Sequence, residues 1–352
     1  MADKLKVGVL GYGKMGKVYA DWFSHNPHCE LKAIYNHSDK RRTEVANEYP
    51  DAAFYTDWKE LMDREELDIV GMCTATNDMM EQIKDAMDHK LNIICEKPVT
   101  MDLDQLKVLD EMLRGYDKKF CAASELRYHP VFEKVSSLMG ELGKVFLVDM
   151  NYAMYRDEVK WKHLYASGGG VLRELGQHIL DAVTDWLGEP ENVFGQNMVV
   201  MPGREVEDVS VNVVKYKSGA VLNLVSHYFN RSDHAVRGVV YGMEGQIDFA
   251  MSSYDVNDSK VTLYKNDCKP VEMKVETPAK IDRIYPGQMD DYGREIDLFV
   301  DAVMRGDYGN DLSKEFINTQ IIDGSYQSTG EQQAVQLPIE SFDMDRLKEI
   351  FG

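Results

Sequence analysis

The sequence predicts an α/β domain built on a parallel sheet, followed by an α+β domain with a large, mostly antiparallel sheet. Strand and helix patterns alternate with short links along residues 5–122, as they do in βαβ units. Further along, strand patterns follow one another with few helices between them, which favours antiparallel pairing. The length of 352 residues suits two domains of roughly 100–200 residues each. We therefore expect a first domain at residues 1–122 and a second at residues 123–352.

The elements of the first domain follow from short apolar runs and helical spacings. Residues 5–10 form an apolar run whose valines suit a buried strand, and apolar residues at Val18, Trp22 and Phe23 then repeat at helical spacing. The predicted strands are 5–10, 31–35, 67–73, 92–95 and 119–123, and the predicted helices are 15–24, 40–48, 57–62, 79–89 and 102–114.

The second domain shows strand patterns that turn signals separate. Lys217-Ser218-Gly219 and Met243-Glu244-Gly245 are two such turns. The predicted strands are 145–154, 209–216, 220–229, 235–241, 246–251 and 261–265. Two helices are predicted in this domain, at 170–187 and 290–305.

Composition excludes several classes of protein. A net charge of −20 argues against nucleic-acid and anionic-membrane partners, since both need a positive surface. The five cysteines are widely spaced and form no CxxC pair, which argues against a disulfide framework and a structural zinc site. No leader pattern and no long apolar stretch occur, so we expect a cytoplasmic protein without a membrane span.

A glycine-rich motif lies directly after the first predicted strand and opens the first predicted helix. This is the context that a dinucleotide-binding GxGxxG motif requires in a Rossmann domain. Its first glycine permits the tight turn, its second lets the backbone approach the pyrophosphate, and its third lets helix and strand pack closely. The motif reads Gly11-Tyr12-Gly13-Lys14-Met15-Gly16. The alternative is a glycine-rich turn that binds nothing.

The position that reads the cofactor ribose is expected at the end of the second strand, about 20 residues past the loop. An acidic residue there would favour NAD, but the chain has Asn36 followed by His37. Arg41 and Arg42 are close enough in sequence to meet a 2′-phosphate, and they equally suit a solvated helix face. We favour NAD slightly, and NADP stays open.

Two motifs in order resemble the signature of the glucose–fructose oxidoreductase, inositol dehydrogenase and rhizopine-catabolism family (Gfo/Idh/MocA). The first is Cys95-Glu96-Lys97-Pro98 after a predicted strand, and the second begins at Gly168-Gly169-Gly170 and continues through Glu174 and His178 to Asp181. The resemblance covers nearly the whole chain. It implies a nicotinamide-dependent oxidoreductase acting on sugars or polyols, assembled as dimers or tetramers. It also implies that Thr74, Asn77, Glu96 and Lys97 lie on the cofactor side.

The chain departs from the family pattern at three positions. Ala75 stands where the family usually has proline, and Met79 where it usually has histidine. Glu174 replaces the usual aspartate, so the carboxylate is kept but reaches one methylene further.

The chemistry of alcohol oxidation assigns roles to three of these residues. A base must remove the hydroxyl proton while hydride leaves carbon, and His178 is the natural base. Glu174 lies four residues earlier, so on an α-helix the two side chains would share a face and the carboxylate would orient the ring. Lys97 can hold the substrate oxygen and stabilise its developing negative charge. The catalytic residues would then come from both domains.

Further polar and aromatic side chains are candidates for binding a sugar. They are Arg127, Tyr152, Arg156, Trp161 and His163, together with Lys97 and His178. We expect no metal, because the sequence has no compact ligand motif such as HExxH.

The sequence therefore predicts an oxidoreductase that transfers hydride between a nicotinamide and a secondary hydroxyl or ketone of a sugar, glycoside or polyol, with a sugar C3 hydroxyl as a sharper alternative. Two other functions stay open: an enzyme that retains NAD and cleaves or eliminates through transient oxidation, and a cofactor-binding regulatory protein. We also expect a homo-oligomer, because a large sheet covered by helices on one face must cover or polarise the other.

Overall fold

The structure is a computed structural model that describes residues 4–164, 166, 168–252, 258–266, 268–275 and 290–352. The chain forms two compact units. Of the described residues, unit 1 contains 4–100, 107–125 and 290–312, and unit 2 contains 101–106, 126–275 and 313–352. Each unit has its own sheet and its own hydrophobic core.

Unit 1 is built on a six-stranded parallel sheet, as the sequence predicts. The strand order is β3-β2-β1-β4-β5-β6, so the order reverses between β1 and β4. Such a reversal leaves a crevice at the carboxyl ends of the two strands, where α/β proteins bind ligands. The strands are β1 Leu5–Leu10, β2 Cys29–Tyr35, β3 Ala53–Tyr55, β4 Ile69–Met72, β5 Asn92–Cys95 and β6 Phe120–Ala122. The short β3 was not predicted.

The helices of unit 1 lie close to their predicted positions. They are Lys14–His25, Arg42–Glu48, Trp58–Arg64, Thr76–Asp88, Leu103–Leu113, of which residues 103–106 count with unit 2, and Asp290–Arg305. The last of these supplies Ile296, Phe299 and Val300 to the core of unit 1. The division of the sequence at residue 123 puts this helix in the second domain, whereas its packing puts it in the compact unit of the N-terminal half.

Unit 2 contains a nine-stranded sheet that is mostly antiparallel, as predicted. Only β7 and β10 pair in parallel among its neighbouring strands in the described part of the chain. The order is β14-β13-β12-β11-β7-β10-β9-β8-β15. The strands are β7 Val145–Ala153, β8 Pro190–Met198, β9 Val209–Tyr216, β10 Val221–His227, β11 His234–Gly242, β12 Gly245–Ser252, β13 Lys260–Lys265, β14 Val271–Met273 and β15 Val335–Gln336.

The helices of unit 2 differ most from expectation. The predicted helix 170–187 is divided into a π-helical turn, Leu172–Gly176, and an α-helix, Gln177–Leu187. Three further α-helices were not predicted: Pro130–Leu138, Ser313–Glu331 and Arg346–Phe351. Within the described residues, every helix falls short of the length and apolar character needed to cross a membrane.

The helix Ser313–Glu331 was not predicted, because the residues that it buries are both apolar and polar. Ile321 and Tyr326 are buried, and so are Asn318, Asp323 and Ser325. A helix with burial of this kind has no apolar stripe for a periodicity search to find. A β-carbon at Gly195 of β8 would collide with Ser325, so that glycine permits the close approach of helix and sheet.

Candidate active site

The glycine loop of unit 1 joins β1 to the helix Lys14–His25, and its three glycines have different structural roles. Gly11 has a φ of 90°, and a β-carbon there would lie 2.6 Å from the Cys73 carbonyl oxygen. A β-carbon at Gly16 would collide with the Gly11 carbonyl. At Gly13, in contrast, a β-carbon would meet nothing described within 4 Å, and no side chain caps the helix there. The loop therefore leaves space beside a helix N-terminus, where backbone N–H groups bind phosphate.

Asn36 fixes this loop to the end of β2. Its side-chain oxygen accepts the Tyr12 N–H at 3.3 Å, and its amide donates to the Ser38 carbonyl at 3.0 Å. The Tyr12 ring is buried, and its hydroxyl donates to Glu48. Asn36 thus supports the loop backbone, and Tyr12 packs in the core of unit 1.

The cations near the end of β2 are paired with carboxylates. Arg41 contacts Glu44 at 2.7 Å, and Arg42 contacts Asp39 at 2.6 Å. Lys17 also bonds to Glu44, and this bond lowers the pKa of that carboxyl. His37 is exposed.

Most of the remaining cofactor-side candidates follow β4, which neighbours β1, and β5, the next strand in the sheet. Thr74 donates to the Gln82 side-chain oxygen at 2.5 Å, and Asn77 is exposed and donates to Asp78. Glu96 is buried and Lys97 half-buried directly after β5. Lys14 is exposed and Met15 half-buried at the start of the first helix. Unit 1 therefore gathers the glycine loop, Thr74 and Lys97 at the carboxyl ends of three adjacent strands.

In unit 2, a buried glutamate holds the start of the π-helical turn. Glu207 accepts the Leu172 N–H at 3.0 Å and the Tyr326 hydroxyl at 2.9 Å through one side-chain oxygen. Gly170 has a φ of 125°, and a β-carbon there would lie 2.5 Å from the same carboxylate. Burial raises the pKa of Glu207 to about 7.

Glu174 lies in the π-helical turn, and its carboxylate accepts from three side chains. Arg156 donates at 2.8 Å and Lys162 at 2.5 Å to one oxygen, and the Tyr228 hydroxyl donates to the other. Glu174 belongs to the π-helical turn and His178 to the α-helix that follows it, and the shared face of the two side chains stays a prediction. These contacts place Glu174 in a cluster of cations.

His178 is buried at the start of the helix Gln177–Leu187, and its ring lies 5.9 Å from the Tyr152 ring. Further along this helix, Asp181 is fully buried and takes two hydrogen bonds from Arg127, at 2.6 and 2.9 Å. Asp185 bonds to Lys314 at 2.6 Å. The helix thus presents its polar residues to partners from several other elements.

The other substrate-side candidates lie in the segment that precedes Gly168. His163 is buried, and its Nδ1 accepts the Lys160 N–H at 2.9 Å. Burial, aided by the charge of Arg204, lowers the pKa of His163 to about 4, so the ring is neutral near pH 7. Trp161 begins a 3-10 turn with its backbone, but its side chain lies outside the described part of the structure.

Sequence reasoning missed two partners of Glu174. Lys162 follows Trp161 directly and could have been proposed from that proximity. Tyr228 is 54 residues from Glu174, and no sequence signal connects the two. In the described residues, no group of three His, Cys, Asp or Glu side chains is arranged to hold a metal ion.

Comparison with known proteins assigns both halves of the chain. Residues 5–124 match the model of an oxidoreductase family with an NAD-binding Rossmann fold, and residues 138–248 match the Gfo/Idh/MocA C-terminal domain. The chain is 23% identical to D-xylose 1-dehydrogenase (NADP(+)) 2 of Haloferax volcanii, over 94% of this chain and 98% of the relative. It is also 23% identical to inositol 2-dehydrogenase of Rhizobium meliloti, over 86% and 89% of the two chains.

A solved structure of levoglucosan dehydrogenase with NADH and L-sorbose has the same fold. The TM-score is 0.83 at 18% identity, and the match covers 96% of this chain and 99% of the other.

We predict that Glu207→Gln reduces the pH dependence of stability. The folded-state pKa of Glu207 is about 7, against an ordinary value of 4.5, so the folded protein holds this proton more tightly than the unfolded chain. The free energy of unfolding should therefore fall as pH rises through that window, by on the order of 1–3 kcal/mol for this group. Gln keeps the acceptor for Leu172 and Tyr326 but has no proton to lose.

Urea unfolding of both proteins at pH 5 and pH 8 measures the effect. The control variant is Glu191→Gln, because Glu191 forms an exposed ion pair with Lys215. Asp323 and Glu315, whose pKa values burial also raises to about 7, titrate in both proteins, so the difference isolates Glu207. Equal pH slopes for Glu207→Gln and the parent chain would contradict the prediction.

Proposed function

The chain belongs to the Gfo/Idh/MocA family of oxidoreductases, and on that premise we propose that it transfers hydride between a nicotinamide and a secondary hydroxyl of a sugar, glycoside or polyol. The observation that carries this proposal is the open space beside Gly13 at a helix N-terminus, since it suits a pyrophosphate. The names of the relatives, D-xylose and inositol dehydrogenases, support the substrate class. The C3 hydroxyl of a hexose is the first position to test.

We propose NAD as the preferred cofactor. Arg41 and Arg42 would have to leave Glu44 and Asp39 to meet a 2′-phosphate. These pairs are exposed, so they hold the arginines only weakly. NADP use would then cost little, in keeping with the names of relatives, which include an NADP(+) enzyme and a complex with NADH.

A nicotinamide cofactor held at the glycine loop would supply the hydride acceptor for oxidation and the hydride donor for reduction. His178 removes the proton from the substrate hydroxyl during oxidation and returns it during reduction. Lys97 donates to the same oxygen and stabilises its developing negative charge. Glu174, held by Arg156, Lys162 and Tyr228, positions the polar groups on the substrate side of unit 2.

Gly13→Val should remove cofactor binding and leave the fold intact. A branched side chain would fill the space that the pyrophosphate needs, but it would meet no described neighbour of the loop. Calorimetry with NAD and urea unfolding measure the two effects. Gly140→Val is the matched control, because a β-carbon there also meets nothing described within 4 Å. Unchanged NAD affinity in Gly13→Val would remove the glycine loop from the cofactor site.

His178→Ala should lower kcat by roughly 10²–10⁴-fold, the usual contribution of general acid–base catalysis. Lys97→Ala should lower it by a comparable or larger factor. The double variant should lose far less than the product of the two factors if both residues act on one oxygen. NAD affinity should hardly change in His178→Ala.

The assay follows nicotinamide absorbance with a panel of sugars and polyols and with both cofactors. Near-normal turnover in His178→Ala would refute the mechanism. Turnover of a glycoside without net NADH would point instead to an enzyme that retains its cofactor, and cofactor binding without any turnover would point to a regulatory protein.

We further propose a cytoplasmic homo-oligomer that uses the sheet face without helices. On that face, Phe194, Met198 and Val213 are 39–46% exposed, and Val211 and Val225 pair across neighbouring strands.

Light scattering should report a multiple of the 40.2 kDa chain. Val213→Glu should weaken the assembly, whereas Met243→Glu, in a hairpin turn, should not. A single 40.2 kDa species at micromolar concentration would end this proposal.

A further inference from the structure

Hydrogen-bond donors gather around the ring of Tyr228 in unit 2. The guanidinium groups of Arg156 and Arg204 lie 5.5 and 5.2 Å from the ring centroid. The His163 ring meets it edge-on at 5.3 Å. The Tyr228 hydroxyl itself donates to Glu174. The cluster is therefore rich in groups that donate hydrogen bonds, and Glu174 and Asp208 supply its carboxylate acceptors.

Both carboxylates are already engaged. Glu174 accepts from Arg156, Lys162 and Tyr228. Asp208 accepts the backbone N–H groups of Val200 and Met201, each at 2.8 Å, and pairs with Arg204 at 3.2 Å. Both carboxylates therefore already accept hydrogen bonds. The pair of Asp208 with Arg204 is also inaccessible to solvent, because both side chains are fully buried.

Three buried donors in the cluster have no acceptor among the described residues. They are Nε of Arg156, Nε of Arg204 and Nε2 of His163. His163 is 2% exposed, and its Nδ1 accepts from Lys160, so in the neutral ring the proton lies on Nε2. Buried polar groups in native proteins are nearly always paired, with protein, water or a ligand. The cluster therefore lacks an acceptor.

From this shortage we infer that the substrate carries a carboxylate, which Arg156 receives. Arg156 is the member whose side chain reaches the surface: it is 26% exposed, although its Nε is buried, whereas the side chain of Arg204 is fully buried. A carboxylate only accepts hydrogen bonds, and a planar guanidinium matches its geometry. A neutral sugar brings hydroxyls, which donate as well as accept and carry no charge to match the guanidinium. This inference rests on the proposed function and narrows its substrate class to sugar acids, such as uronates and aldonates.

The test compares compounds that differ in one group. Initial rates with NAD and with NADP are measured for D-glucose, D-glucuronate, D-gluconate and D-glucose 6-phosphate. We expect kcat/KM for at least one of the two acids to exceed that for glucose by roughly 10- to 100-fold, the value of one hydrogen bond to a charged group. Equal or better use of glucose, or a preference for the phosphate, would overturn the inference.

Arg156→Gln removes the charge and should reduce the ratio of acid to neutral kcat/KM by a similar factor. Arg346→Gln is the control, because Arg346 lies in the helix Arg346–Phe351 and pairs with Glu331 outside this cluster. An unchanged ratio in Arg156→Gln would exclude Arg156 as the receiving group.

Calorimetry of the parent protein keeps the inference testable if that variant does not fold or if no compound is oxidised. Sodium D-gluconate should bind in the presence of NAD at least about tenfold more tightly than D-glucose. Binding of gluconate without turnover would refute the proposed oxidation and support the carboxylate subsite. Turnover of neutral sugars with no gain for the acids would refute the subsite and leave the oxidation in place.

Discussion

The arrangement of unit 2 depends on one constraint: polar groups that are buried on a single helical segment must find partners. The segment 172–187 carries Arg173, Glu174, Gln177 and Asp181, and each of them bonds to a residue from a different part of the chain. Arg173 pairs with Asp323 at 2.6 Å, and Gln177 donates to Glu315. Glu174 and Asp181 pair with Arg156 and Arg127. These contacts connect the segment to Arg127, to Arg156 after β7 and to the late helix Ser313–Glu331.

The energetics of such pairs favour specificity over net stability. Removing one partner of a buried ion pair costs about 3–5 kcal/mol, because the other charge is left without compensation, although an apolar replacement of both is often neutral. The side chains of Arg173 and Asp323 are at most 4% exposed, so this asymmetry applies fully to them. The helix that carries His178 therefore has few alternative positions, which is what the proposed catalytic base would require.

The sequence predicts the cofactor half of the molecule far better than the substrate half. The site in unit 1 is formed by the backbone. Close contacts in the βα turn require Gly11 and Gly16, and a turn of this kind can be predicted because its residues are adjacent in the sequence. Unit 2 relies on side chains that meet across long stretches of sequence, such as Glu174 with Tyr228. The π-helical turn could not be predicted either, since its residues have ordinary helical spacing, and Glu207 holds its start from 35 residues away. The role of Glu174 beside His178 stays a prediction.

This contrast also explains how a chain can keep the fold of its relatives at 23% identity and still select its own substrate. The pyrophosphate is common to the dinucleotide cofactors, so backbone N–H groups beside a glycine-rich turn would suffice to hold it, and most other side chains of the loop could vary. A substrate differs from one enzyme to the next, and only side chains can distinguish a charged oxygen from a hydroxyl. The donors around Tyr228 are Arg156, Arg204 and His163, and no local sequence pattern specifies these residues. Arg156, whose side chain is partly exposed, can change at less cost than Arg204, which forms a fully buried pair with Asp208. On the proposed function, substrate preference would be set by a few side-chain contacts between residues far apart in the sequence, such as that of Glu174 with Tyr228, and such contacts are visible only in the folded structure.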